Sequence, residues 1–249
     1  MTIIKCKTYG EVPSNFVDFV IRTLRSFYEL VGEGPILVEV LIYGSSSDKI
    51  TSLIHEANNL GVLVLGLDYV TLHEAWSGWP RIHIDFGACK ELSNDIVEAL
   101  IVHEAVHSIL HGSIQYYMIN VDNIPEWVSP EDFLKLMYTS VAAVKDYEVC
   151  TYLRRKGLIK YVKKYSEFVI NEMKKHECLS IQDLLMMLKL ITSLLCINEN
   201  LSEDYVGYTC RDYLKALLPR VKVTLNSNEQ FNIKAFRLVD LALNAWLKI

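Results

Sequence analysis

The sequence lacks paired cysteine motifs, which excludes one common type of metal site. Its six cysteines include no CxxC pair and stand at Cys6, Cys89, Cys150, Cys178, Cys196 and Cys210. Scattered cysteines of this kind indicate neither a thiolate zinc cluster nor a small disulfide framework. We therefore expect most of them to be buried free thiols.

The chain also lacks the features of several other protein classes. Residues 1–6 show no basic start, apolar core or small-residue cleavage site, and no apolar run reaches the length of a membrane span. The formal net charge is -5, and no stretch combines clustered lysine and arginine with aromatic residues as nucleic-acid-binding proteins do. These absences predict a cytoplasmic protein that binds neither membranes nor nucleic acid.

What is present is a long, apolar chain with one basic run. The 249 residues are 51% hydrophobic, enough for one large domain or two tightly packed lobes, and no internal repeat or linker is visible. The basic run consists of Arg154, Arg155, Lys156, Lys160, Lys163 and Lys164. At helical spacing, such a run is more typical of a solvated helix face than of a patch for an anionic ligand.

One stretch carries specific chemistry, namely His103-Glu104-Ala105-Val106-His107. In a helix its two histidines lie on one face, one turn apart, with Glu104 beside the first. Two neutral nitrogen ligands and a carboxylate that can hold a water are what a catalytic zinc site requires. A pair of core histidines hydrogen-bonded to the backbone is the alternative, but each would then need a buried partner of its own.

The surrounding sequence predicts that this motif lies on a helix. Ser93 to Asp95 offer an amino-terminal cap, and neither proline nor glycine interrupts residues 96–111. Gly112 stands where a left-handed residue would end the helix. Apolar residues recur at intervals of three and four residues along this helix, so both histidines are expected to face the core.

This helix resembles the active-site helix of the zincin metallopeptidases. The run through Gly112 is also similar to gluzincin-like families, which often place a further histidine four residues after the second ligand, here His111. The resemblance implies a zincin-like α+β fold and a zinc-dependent hydrolase of peptide bonds in peptide or protein substrates. Glu104 would be the general base on a zinc-bound water. The alternatives are an inactive zincin-fold regulatory or scaffold protein that retains the metal, and a helical protein in which the motif arose by chance.

A catalytic zinc usually takes three protein ligands, so one more must come from elsewhere in the chain. Asp146 and Glu148 lie two residues apart on a predicted helix and so point about 160° away from each other. Asp146 shares a face with small apolar residues, in a setting similar to zincin-like helices, whereas Glu148 could pair with Arg155. Glutamate is nevertheless the commoner third ligand among gluzincins. We favour Asp146, with Glu148 as the alternative and His111 as a weaker one.

The rest of the pattern predicts an α/β lobe over residues 1–112 and a helical lobe over residues 113–249. Strands are predicted over residues 2–8, 36–43, 62–67 and 81–86. Helices are predicted over residues 16–31, 49–59, 130–156, 158–175, 181–197, 202–218 and 232–247. The lobes would form one catalytic unit.

The alternating segment from Arg81 to Phe86 is predicted to be an edge strand. It could lie beside a substrate cleft, or it could be a plain edge strand that another element covers. In the zincin fold the strand just before the active helix runs beside the cleft and pairs with substrate. By resemblance, strand addition there would involve Arg81, Ile82, His83 and Ile84 in substrate binding. Candidate donors to the oxyanion of the reaction are Tyr116, Tyr117, Tyr152, His83 and His176.

Overall fold

The computed structural model describes residues 2–62, 64, 67–118, 124, 126–196 and 208–247. It is a mixed α+β structure that divides into two units, Met1–Met118 and Ile119–Ile249. Across these described residues, no helix combines the length and the apolar character needed to cross a membrane.

The first unit contains four strands and four α-helices among its described residues. The strands are β1 (Ile3–Tyr9), β2 (Leu37–Tyr43), β3 (Thr71–Glu74) and β4 (Arg81–Asp85). The helices are α1 (Ser14–Val31), α2 (Ser46–Leu60), α3 (Phe86–Cys89) and α4 (Asn94–Leu110), followed by a short 3-10 helix (Ile114–Tyr116). Most of these elements lie where the sequence predicts them, because the apolar residues repeat clearly at the strand period of two or at the helix period of about 3.6 residues.

The sheet has the strand order β1-β2-β4-β3. β4 pairs in parallel with β2 and antiparallel with β3, so both of its edges are occupied. The prediction that residues 81–86 form an edge strand is therefore wrong, and strand addition cannot place a substrate on Arg81, Ile82, His83 or Ile84, all of which are buried. A buried interior strand and a half-buried edge strand can show the same alternation of residue types, so the sequence could not separate them.

The strand predicted over residues 62–67 falls partly outside the described residues, since 63, 65 and 66 are not among them. Val62 and Val64 are described, and neither lies in a strand. Both pack against a small cluster formed by Leu53, Ala57, Leu72 and Trp76.

Helix α4 has the length that the sequence predicts, but it ends differently. Its last turn is closed by a hydrogen bond from the His111 amide to the carbonyl of His107, and Gly112 does not have a positive φ. A Cβ atom at Gly112 would instead lie 2.4 Å from the Ser108 carbonyl oxygen and 2.8 Å from Pro80 Cγ. Glycine fits this position because the backbone passes too close to neighbouring atoms to accommodate a side chain. The position of a glycine in the sequence does not reveal such a close approach.

The second unit is helical in the part that the structure describes. Its α-helices are α5 (Pro130–Arg155), α6 (Ile159–Met173), α7 (Ile181–Thr192), α8 (Arg211–Asn226) and α9 (Phe231–Trp246), with a 3-10 helix at Tyr208–Cys210. Ser129 caps α5, because its hydroxyl accepts a hydrogen bond from the Asp132 amide, and Pro130 opens the first turn. Helix α5 packs against α6, α7 and α9 around one apolar core.

Helix α8 contradicts the prediction that a helix ends before Pro219. The observed helix includes this proline and continues to Asn226, while residues 202–207 of the predicted helix lie outside the described residues. Proline lacks an amide donor and costs roughly 3 kcal/mol inside a helix. Buried apolar residues at helical spacing on both sides of the proline offset this cost, and they are Leu214, Leu217, Val221 and Leu225.

Four of the six cysteines are paired, contrary to the expectation of free thiols. Disulfides join Cys150 to Cys196 and Cys178 to Cys210, whereas Cys6 and Cys89 are free. Both pairs link residues far apart in sequence that only the packing of the helices brings together. Disulfides persist mainly in oxidising compartments, so these pairs do not favour the predicted cytoplasmic location.

Candidate metal centre

Helix α4 is buried around almost its whole circumference, including the motif residues. Every residue from Ala99 to Ser108 is buried. The Nε2 atoms of His103 and His107 lie 3.1 Å apart, so the two rings turn the same nitrogen toward a common point. Burial of two imidazoles with converging nitrogens is the arrangement that the i, i+4 spacing predicts for a ligand pair.

The carboxylate of Glu104 is held by a strand of the same unit. The Thr71 hydroxyl donates a hydrogen bond to Glu104 Oε1 over 2.7 Å, and both side chains are buried. Thr71 begins β3, which packs against α4. This contact fixes the carboxylate beside the first histidine of the motif. No sequence pattern indicates it, because Thr71 is distant in the chain and belongs to no motif.

His111 contacts the second histidine of the motif from the opposite side. Its Nδ1 atom lies 3.0 Å from Nδ1 of His107, so one of these two nitrogens donates to the other. When Nδ1 of His107 is the donor in this bond, its Nε2 carries the lone pair that a metal ligand needs. His111 therefore orients a candidate ligand.

Asp146 lies on α5, in the second unit, where it is buried. Lys189 Nζ lies 3.6 Å from Asp146 Oδ2, and burial lowers the pKa of the adjacent Lys145 to about 7, against the opposing effects of the Asp146 and Glu148 carboxylates. The candidate ligand atoms of His103, His107 and Asp146 lie within 4.8 Å of one another, and this buried group could hold a metal ion.

The group contains the acid that the sequence favours. Glu148 and His111, which are both described, do not belong to it. Glu148 is half-buried two residues further along α5. Two acids two residues apart on a helix point about 160° away from each other, so they do not share one site.

A further buried histidine lies beside the motif, and no sequence pattern marks it. His73 on β3 stacks on His107, with ring centroids 5.8 Å apart. The Tyr117 hydroxyl lies 2.7 Å from Nδ1 of His73. No histidine stands four residues after His73, so the sequence does not mark His73 or Glu74 as part of a metal site. Both are buried, and what brings His73 to the site is the position of β3 next to α4.

The residues predicted to bind substrate form a buried network of charges and hydrogen bonds instead. Arg81 pairs with Glu39, Glu56 and Glu74. His83 lies 2.9 Å from the Tyr43 hydroxyl through Nδ1 and 3.3 Å from Glu74 Oε1 through Nε2. Burial raises the pKa of Tyr43 above its ordinary value, an effect that its hydrogen bond to Ser52 opposes. These contacts hold β2, β3 and β4 together.

The donor set fits zinc. Two imidazole nitrogens and a carboxylate oxygen are the N2O set that this ion accepts in catalytic sites. Zinc–nitrogen bonds near 2.05 Å at a tetrahedral angle separate the two nitrogens by about 3.3 Å. The observed separation of 3.1 Å between the Nε2 atoms is close to that value.

Comparison with protein-family models, with curated proteins and with solved structures finds no match to this chain.

Proposed function

We propose that this protein is a zinc-dependent metallopeptidase of the zincin type that hydrolyses peptide bonds. His103, His107 and Asp146 would hold the zinc ion, and Glu104 would act as general base. The observation that carries the proposal is the convergence of the two Nε2 atoms, 3.1 Å apart, on the helix that also presents Glu104. A purely structural histidine pair does not explain why a buried carboxylate is placed beside it.

Each residue has a defined task in this reaction. Bound zinc supplies Lewis acidity, which acidifies a water molecule and polarises the scissile carbonyl. Glu104 accepts a proton from the attacking water and delivers it to the leaving amine nitrogen as the carbon–nitrogen bond breaks. Thr71 holds one carboxylate oxygen of Glu104, and His111 keeps the His107 ring oriented.

Metal content and Glu104-dependent hydrolysis together test the proposal. The full chain is purified without chelator, its metal is measured by mass spectrometry, and cleavage of a quenched-fluorescence peptide library is followed. We expect one equivalent of zinc, and a loss of about 10²- to 10⁴-fold in hydrolysis for Glu104→Gln with the zinc retained. Glu91→Gln, at an exposed residue of the turn that precedes α4, is the matched control and should change neither quantity.

Ligand variants separate the alternatives. His107→Ala and Asp146→Ala should lose the metal, and Glu148→Ala should keep it. If only the Glu148 variant loses metal, the assignment of Asp146 is wrong. A chain without stoichiometric zinc contradicts the whole proposal. Zinc without Glu104-dependent cleavage would instead identify a zincin-fold regulatory or scaffold protein that retains its metal.

A further inference from the structure

A cavity in the second unit is lined by residues whose chemistry is that of an anion-binding site. Its volume is about 550 Å³, within the range of roughly 300–1,000 Å³ that small-molecule sites occupy. Its lining combines cationic, hydroxyl and amide groups from three parts of the unit, namely Tyr147, Thr151, Arg154, Arg155, Leu195, Cys196, Lys222 and Asn226.

The cavity is formed where two helices present one face each. Tyr147, Thr151 and Arg154 follow one another at helical spacing on α5, and Lys222 and Asn226 lie one turn apart on α8. The Tyr147 hydroxyl donates to Asn226 Oδ1 over 2.8 Å, which ties the two faces together.

The segment after α7 forms a third side of the cavity. Cys196 lines it and is bonded to Cys150 of α5, so the disulfide holds this wall against the helix. Arg154 Nη1 donates to the carbonyl oxygen of Cys196 over 2.7 Å. A guanidinium has five N–H donors, and this bond orients the group while leaving donors for a ligand.

The charge of the cavity is strongly biased. Among the described residues that line it, three are cations and none is a carboxylate, although the whole chain carries a net charge of -5. Neither Arg154 nor Arg155 forms an ion pair with a carboxylate in the part of the chain that the structure describes. Basic residues in the last turn of a helix also offset its dipole, but that effect does not account for Lys222, which belongs to another helix.

A buried hydroxyl points to a ligand as well. Thr151 Oγ1 is buried and has no hydrogen-bond partner among the described residues. Buried hydroxyl groups are nearly always hydrogen-bonded, and Thr151 also lines the cavity, so rotation about its χ1 can offer this hydroxyl to a ligand there.

We propose that this cavity binds a small phosphorylated molecule of about the size of a nucleoside diphosphate. Arg154 and Arg155 would contact its phosphate oxygens, because a planar guanidinium matches phosphate with paired N–H donors. Lys222 adds a third positive charge from the facing helix, and Thr151 supplies a hydroxyl. Two members of the basic run that the sequence assigned to a solvated face thus line a binding site.

Equilibrium binding to the full chain tests this site independently of any hydrolase activity. The probes are adenosine diphosphate, inorganic pyrophosphate and citrate, measured by isothermal titration calorimetry at physiological ionic strength. We expect saturable binding of adenosine diphosphate and pyrophosphate, at least about tenfold weaker in Arg154→Gln/Arg155→Gln. Thr151→Val, which keeps the shape of the side chain, should weaken both as well.

The control carries the same change of charge elsewhere in the same unit. Lys163→Gln/Lys174→Gln removes two exposed cations that do not line the cavity, and binding should be unchanged. Circular dichroism and thermal melting verify that each variant is folded. The proposal is overturned if neither phosphate probe binds the wild type, if the two double variants weaken binding equally, or if citrate alone binds.

Discussion

Removal of Arg81 should destabilise the first unit far more than removal of a surface arginine. Arg81 is 4% exposed, and its Nε lies 3.1 Å from Glu74 Oε1 and 3.3 Å from Glu39 Oε2. It also donates to both carboxylate oxygens of Glu56. In Arg81→Met, a side chain of similar length fills the space but leaves these carboxylates without their common cation.

The magnitude follows from the burial of the carboxylates. The Glu74 side chain is 1% exposed, so it would become a buried uncompensated charge, which costs about 3–5 kcal/mol. Glu56 is 27% exposed and Glu39 keeps its pairing with Lys7 at 2.6 Å, so these two add little. We therefore expect Arg81→Met to lower the free energy of unfolding by about 3–5 kcal/mol.

Urea denaturation followed by tryptophan fluorescence measures this change. Replacing Trp127 and Trp246 by phenylalanine leaves Trp76 and Trp79, so the signal reports on the first unit. The control is Arg25→Met, which removes an exposed arginine of α1 in the same unit; surface substitutions of this kind change the free energy of unfolding by no more than about 0.5 kcal/mol. A loss in Arg81→Met no larger than in this control would refute the reasoning.

Two further predictions concern buried polar contacts of the same unit. Thr71→Val removes the hydroxyl that donates to Glu104, and it should lower the free energy of unfolding by about 1.5–3 kcal/mol while bound metal is retained; unchanged urea stability would contradict it. Burial lowers the pKa of Lys49, although Asp85 opposes this effect, so the native chain releases this proton at lower pH than the unfolded chain does. The stability of the wild type relative to Lys49→Met should therefore rise with pH between the lowered native pKa and the ordinary value of 10.5, and urea titrations that show a flat or falling difference would disprove this.

The parts of the fold that were predictable are those specified by local pattern. Helix α4 and its inward histidines are predicted by apolar residues at intervals of three and four residues. The start of α5 is predicted by Ser129, Pro130 and the acidic residues after them. β2 reads as a central strand because it is apolar on both faces.

Errors arose where long-range packing decides the outcome. Pro219 lies inside α8 because apolar residues on both sides of it are buried. A proline in the sequence predicts the end of a helix and contains no information on that burial. Gly112 is needed for close chain approach instead of for a left-handed turn. The pairing of Cys150 with Cys196 depends on where α7 ends relative to α5, which no spacing rule contains.

The sequence by itself determined the chemistry available to the candidate site. The spacing of His103, Glu104 and His107 on a helix specifies two converging nitrogens and a carboxylate, because side-chain direction along a helix is fixed by its period. Only the tertiary structure decided what surrounds them. Thr71 and His73 reach α4 from a strand that is remote in sequence, and β4 became an interior strand because pairing partners are chosen by the packing of the whole sheet.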